Sequence, residues 1–121
     1  MTVPPRRATP ALLQVDAILA RLGGRAALEE VLRFLGAEFP ELATLAIELS
    51  GTGTIVTGPD GPDPVVPPAA GTPGVAIVAE GRTVGRFVRP GGFPDPSDVG
   101  FLTVVAGRLG AAAVAAGATP A

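Results

Sequence analysis

The chain contains no His, Cys, Lys, Tyr, Trp or Asn, and all nine of its cationic side chains are Arg. Catalysis at neutral pH usually relies on an imidazole, a thiolate, an amine or another group that exchanges a proton in that range. The carboxylates of this chain titrate at about pH 4 unless perturbed, and its guanidinium groups stay charged throughout. The composition therefore predicts a protein that is not an enzyme and has no catalytic residue.

The same absences limit metal and cofactor binding. Without Cys there are no disulfides or thiolate ligands, and without His the commonest metal ligand is missing. Asp60 and Asp63 stand in a Gly- and Pro-rich stretch, but Ca²⁺ needs six or more oxygens in a defined geometry. We therefore predict no bound metal and no cofactor.

The net charge and the pattern of apolar residues near the N-terminus bear on nucleic-acid binding and on the location of the protein. The net charge is −2 and no basic patch is interleaved with aromatic residues, so the sequence does not indicate nucleic-acid binding. The first apolar stretch, 11–22, is interrupted by Gln14, Asp16 and Arg21, unlike a signal peptide. We expect a cytoplasmic protein, and the abundance of Ala, Gly, Pro and Arg is typical of a GC-rich bacterial genome.

A second apolar stretch, 101–118, has the length of a membrane span but carries Arg108 near its middle. An Arg at that depth costs about 2.5 kcal/mol or more, and Ala and Gly insert weakly. The prediction is a helix buried in its own domain or against a partner, not a membrane anchor.

The length of 121 residues predicts one domain. We expect a disordered, Pro-rich segment over 1–10, a single domain over 11–117 and a flexible tail over 118–121. A first helix is predicted from Pro10, capped by Thr9, to Leu22, and a second from Arg25 to Gly36. A final helix is predicted from Pro96, capped by Asp95, to about Ala116.

Two hairpins are predicted between these helices. The first has strands at 43–49 and 54–57 around a Gly51–Gly53 turn, and the second has strands at 75–80 and 83–89 around Gly81-Arg82. Six prolines between Gly58 and Pro73 predict a surface loop, with at most Val65-Val66 extended. The expected fold is α/β in the loose, α+β sense: a mostly antiparallel sheet of four or five strands with N-terminal helices and a long C-terminal helix packed on it.

The closing stretch, 75–116, runs strand, turn, strand with a small-apolar-Gly step, loop, and a helix start with the pattern Phe-x-x-x-x-Asp that leads into an Ala-rich helix. This stretch resembles the closing pattern of the GAF domain family of sensor and dimerisation modules, and the likeness extends over about 11–116. A roadblock-type or PAS-type module remains an open alternative. The matching residues are Gly81, Val84, Gly85, Phe93, Asp98, Phe101, Leu102, Val105, Ala106 and Leu109.

The departures from that family concern its ligands. The resemblance implies no cyclic-nucleotide site, because the family signature requires Asn and Lys, and no bilin or haem site, because these need Cys or His. The segment 58–73 is also too short and too Pro-rich to form the helices that roof the family's pocket. The resemblance thus implies a GAF-like scaffold with a reduced pocket.

Arg82, Arg86 and Arg89 cluster on the second hairpin, where guanidinium groups could recognise a phosphate or carboxylate. The alternative is a solvated edge that discourages aggregation. Arg86 and Arg89 are the candidate ligand-binding residues for a second possible function, a small-molecule sensor of an apolar or anionic ligand.

The final helix is apolar around most of its circumference, which predicts burial on more than one side. Its own sheet covers one side, and the first helix, a partner chain or both would cover the other. The leading prediction is therefore a regulatory GAF-like module that forms a homodimer or docks onto a partner protein through its terminal helices. The predicted interface residues are Leu12, Val15, Leu19, Leu22, Val99, Leu102, Val105 and Leu109.

Overall fold

The computed structural model describes residues 5–42, 44–58, 74–89 and 96–118. Within these ranges the chain forms three α-helices, four strands and a short 3-10 turn, Pro40–Leu42. The predicted α+β class is confirmed. The helices and strands are α1 Pro5–Arg21, α2 Gly24–Glu38, β1 Ala46–Leu49, β2 Ile55–Thr57, β3 Gly74–Ala79, β4 Arg82–Val88 and α3 Pro96–Ala115.

The four strands form one antiparallel sheet in the order β2-β1-β4-β3. Each hairpin pairs locally, and β1 joins β4 in the centre of the sheet. Alternate residues of a strand point to opposite faces, so Ile47, Val56 and Phe87 enter the main core with the helices. Ala46, Ile55 and Val88 form a separate, small apolar cluster on the opposite face.

Both predicted hairpin turns are present. Glu80 and Gly81 carry positive φ angles of 53° and 77°, as the two central residues of a type I′ turn require. The turn therefore lies one residue earlier than predicted, and Arg82 already belongs to β4. Gly51 and Gly53 also adopt positive φ, and the Leu49 N–H donates to the Thr54 carbonyl at 2.8 Å.

The helix starts differ from the predictions at the N-terminus. α1 begins at Pro5, so the expectation of disorder is wrong for residues 5–10, and Pro10 lies inside the helix. Proline suits a first helical turn, and Pro5 meets that preference earlier in the chain than Pro10. Residues 1–4 lie outside the described residues.

The predicted first strand is also shortened. The 3-10 turn Pro40–Leu42 takes up chain after α2, so β1 begins at Ala46 and not at residue 43. The loop predicted over 58–73 lies outside the described residues except for Gly58, and so do Asp60, Asp63, Phe93 and Asp95.

The end of α3 is fixed by hydrogen bonds. The Gly117 N–H donates to the Val114 carbonyl at 3.0 Å and the Ala118 N–H to the Ala113 carbonyl at 3.1 Å. With Gly117 at φ 105°, this is a Schellman cap. Ala118 is buried, so it belongs to the fold and not to the predicted flexible tail.

The helices cover one face of the sheet. α2 buries the predicted residues Leu28, Val31, Leu32 and Leu35. α3 lies directly on β3, because a Cβ built at Gly110 would collide with the Val78 carbonyl oxygen. The inward half of α3 is therefore fixed by backbone contact with the sheet.

Candidate interaction surface

Four predicted interface residues lie in the core of the single chain. Val15, Leu102, Val105 and Leu109 are each 0% exposed, so these side chains do not face a partner. Their size and helical spacing also suit burial, and all four belong to the core that the helices form with the sheet. This part of the prediction is corrected.

The other four predicted residues lie at the edges of the helices. Leu12, Leu19 and Val99 are partly buried against the core, and Leu22 is exposed at the end of α1. They can border a contact but do not form its centre.

The exposed half of α3 consists mainly of small and apolar residues. Val104 and Val114 are 44% and 48% exposed, although large apolar side chains usually lie inside a protein. A Cβ built at Gly100 or Gly107 would meet nothing within 4 Å. We call this surface the α3 stripe, and it is formed by Gly100, Val104, Gly107, Ala111 and Val114.

The spacing of the α3 stripe is a heptad-like 4-3-4-3 repeat along one side of the helix. The sequence shows this repeat, but a second repeat of larger residues, 99, 102, 105 and 109, runs beside it. The larger residues of this second repeat, Leu102, Val105 and Leu109, belong to the buried half of the helix.

The exposed side of α1 adjoins the α3 stripe. Arg108 Nε donates to Asp16 Oδ1 at 3.0 Å, and this ion pair links the two helices across the surface. On the outer side of α1, Leu13 is 66% exposed and Ala17 and Ala20 are also exposed. The two helices thus present an apolar surface, and the ion pair between Arg108 and Asp16 lies between them.

In the candidate anion site on the second hairpin, Arg86 already has a carboxylate partner from within the protein. Arg86 Nε donates to Glu48 Oε1 at 2.7 Å, across the directly paired positions of β4 and β1. Both side chains are about one-third exposed, at 31% and 28%. An anionic ligand would have to compete with Glu48 for this guanidinium.

The three hairpin arginines differ in position and exposure. Arg82 is exposed at the start of β4, and a register shift between Ile77 and Val78 interrupts the alternation between Arg82 and Arg86. Arg89 follows the end of β4 and is half-buried.

A shallow groove of about 620 Å³ lies between α2 and the end of β2 and was not predicted from the sequence. Its charged residues are paired: Arg25 contacts Glu29 at 3.2 Å, and Arg33 binds Glu30. The hydrogen bond from Arg33 lowers the pKa of the exposed Glu30 carboxyl. The groove is lined by Leu22, Ala26, Glu29, Glu30, Arg33, Thr57 and Gly58.

Among the described residues there is no group of three or more acidic side chains that could hold a metal ion. α3 is long and apolar enough to cross a bilayer, but 50% of that stretch is buried inside the protein, as in a core helix. Comparison with protein-family models, with curated proteins and with solved structures finds no match for this chain.

Proposed function

We propose that this chain is a non-enzymatic, GAF-like regulatory module that acts by dimerising or by docking onto a partner protein. The observation that carries the proposal is the α3 stripe, an exposed apolar surface on a helix whose other half is buried. The GAF assignment rests on the resemblance of the sequence. The absence of His, Cys and Lys supports a role without catalysis, and the net charge of −2 supports one without nucleic acid.

The physical argument concerns the cost of leaving the stripe in water. Apolar surface gains roughly 25 cal/mol for each Å² removed from water, and contiguous apolar patches on monomers often mark interaction sites. Val104 and Val114 are well exposed, and the small residues between them allow another backbone to approach closely. A second helix is the element that fits such a surface.

The alternative function, a sensor of an apolar or anionic ligand at Arg86 or Arg89, has less support. Glu48 already pairs with Arg86, and a register shift interrupts the alternation between Arg82 and Arg86. Binding of phosphate or a carboxylate that weakens on Arg86→Gln and strengthens on Glu48→Gln would favour this alternative.

The test of the leading function measures association across a concentration series, for the purified protein alone and mixed with candidate partner proteins. Val104→Glu places a charge in the stripe, whereas Ala26→Glu places one on the exposed side of α2. We expect the first variant to lose association and the second to retain it. A wild-type protein that stays monomeric and binds no partner would refute the proposal.

A further inference from the structure

We propose that the occupant of the α3 stripe is a second copy of this chain, packed antiparallel across a two-fold axis at Gly107. The inference rests on the proposed function, because it names the partner for that same surface. A two-fold interface must be self-complementary: where one residue of the first copy contacts a second residue of the other copy, the same two residues also meet with the copies exchanged. Two features of the surface meet this requirement, residue size and charge, and a third, its area, sets the expected strength of the dimer.

The first feature is the order of residue sizes along α3. In an antiparallel pair centred on Gly107, Gly100 of one copy faces Val114 of the other, and Val104 faces Ala111. Each exposed valine, 44% or 48% accessible in the single chain, then lies opposite a glycine or an alanine. Large residues therefore fit against small ones, and Gly107 allows the two backbones to approach at the axis. A parallel pairing would set Val114 against Val114 and leave a gap at Gly100.

On the exposed side of α1, a large residue of one copy also lies opposite a small residue of the other. α1 runs alongside α3, since Asp16 contacts Arg108 and Gly24, after α1, contacts the backbone of Ala115. The level of Gly107 on α3 therefore corresponds to about residue 15 on α1. The same axis places the 66% exposed Leu13 of one copy against the exposed Ala17 of the other.

The second feature is charge. The stripe itself carries no charge, and Arg108 at its edge is paired with Asp16 at 3.0 Å, so the surface is electrically neutral. A strongly acidic or basic partner gains nothing from such a surface. A two-fold axis at this level brings two Arg108–Asp16 pairs together, and each guanidinium then also faces a carboxylate of the second copy.

The third feature is area. Positions 100–114 span about 21 Å of helix, and two helices side by side are about 20 Å wide, so the surface outline is on the order of 400 Å². A standard interface buries about 800 Å² of accessible surface on each partner, and weaker ones bury less. We therefore expect a reversible dimer that forms at micromolar or higher concentration, not an obligate one.

Engineered cysteines test the arrangement directly, because the chain has none of its own. A disulfide requires Cα atoms within roughly 4.4–6.8 Å, which residues at the axis of a close helix pair satisfy. After mild oxidation, Gly107→Cys should form a disulfide-linked dimer with itself. Gly100→Cys and Val114→Cys should each fail alone and cross-link when the two proteins are mixed.

A matched pair of substitutions tests the surface without oxidation. Ala111→Gln and Ala37→Gln make the same change at exposed helical positions, on α3 and α2 respectively. We expect Ala111→Gln to raise the dimer dissociation constant by about tenfold or more, and Ala37→Gln to leave it unchanged. Circular dichroism of both variants should match the wild type.

The outcomes separate this inference from the proposed function. Association with self-cross-linking at both Val114→Cys and Gly100→Cys would overturn the antiparallel pairing while the interaction module stands. A protein that is monomeric alone but binds a different chain through the stripe would overturn the second copy and keep the docking function. Binding of α3 to lipid vesicles, or no association of any kind, would overturn both.

Discussion

α2 and α3 lie in the same helical layer and bury apolar residues in the same core, but their outer faces differ. The outer face of α2 carries Arg25, Glu29, Glu30 and Arg33, joined in pairs that suit contact with water. The outer face of α3 carries glycine, alanine and valine, with Arg108 as its charged residue. A fold needs only one apolar side per helix, so the second apolar side of α3 is not explained by the folding of the single chain.

The largest expected effect is a difference in stability between two substitutions at neighbouring positions on opposite sides of α3. Val105→Glu places a carboxylate in the core and should destabilise the fold by roughly 3 kcal/mol or more, enough to unfold much of the protein. Val104→Glu should change stability by only about 0.5 kcal/mol, because the new carboxylate would lie in water four residues before Arg108. Urea unfolding followed by circular dichroism measures both, and equal losses would contradict the assignment of the two sides.

The second effect compares two glycines of the same helix. Gly110→Ala pushes a methyl group into the β3 backbone and should cost about 1–3 kcal/mol. Gly107→Ala meets no atom and should stabilise the monomer by up to about 1 kcal/mol through helix propensity. Thermal unfolding at a concentration that keeps the protein monomeric checks the prediction, and a stabilising Gly110→Ala would show that α3 does not rest on β3.

The third effect concerns the ion pair between α1 and α3. Arg108→Gln removes the contact with Asp16, and because both side chains are exposed by a third or more, the loss should be under about 1 kcal/mol. If the pair also bridges two copies, dimerisation should weaken and become less sensitive to salt. Sedimentation at low and high ionic strength measures this, with Arg25→Gln on α2 as the control.

The smallest expected effect lies on α2. Arg33 holds the pKa of Glu30 below its usual value, so this carboxylate stabilises the fold above its unfolded-state pKa of about 4.3. The contribution is lost as the pH falls through the lower, folded-state value. The Arg33→Gln variant should therefore be less stable than the wild type at neutral pH, and this difference should become smaller in acid. A difference in the free energy of unfolding that stays constant from neutral to acid pH would contradict this.

Much of the fold follows from local pattern. The alternation at Leu45, Ile47 and Leu49, the glycines of the two turns and the Pro96 start of α3 predicted elements that the structure contains. The register shift in β3 and the 3-10 turn after α2 were not predictable, because they depend on contacts between distant segments.

The sequence predicted an interaction surface on α3, but it did not identify which residues form that surface. A helix that is apolar all round gives no periodic signal for which side is inward, and here the choice is decided by Gly110 meeting the backbone of β3. Residue type does not separate the sides either, since Ala106 and Ala113 are buried with Leu102 and Leu109 while Val104 and Val114 are exposed.

The pairing of β1 with β4 has a consequence for how the chain reaches its native state. Each hairpin pairs strands that are neighbours in the sequence, but the centre of the sheet closes only when the part of the chain that ends at Gly58 meets the part that begins at Gly74. The entropy of closing such a connection changes by only about 0.6 kcal/mol for each doubling of its length. Lengthening this connection should therefore cost little stability, whereas cutting it would make the pairing of β1 with β4 bimolecular and dependent on concentration.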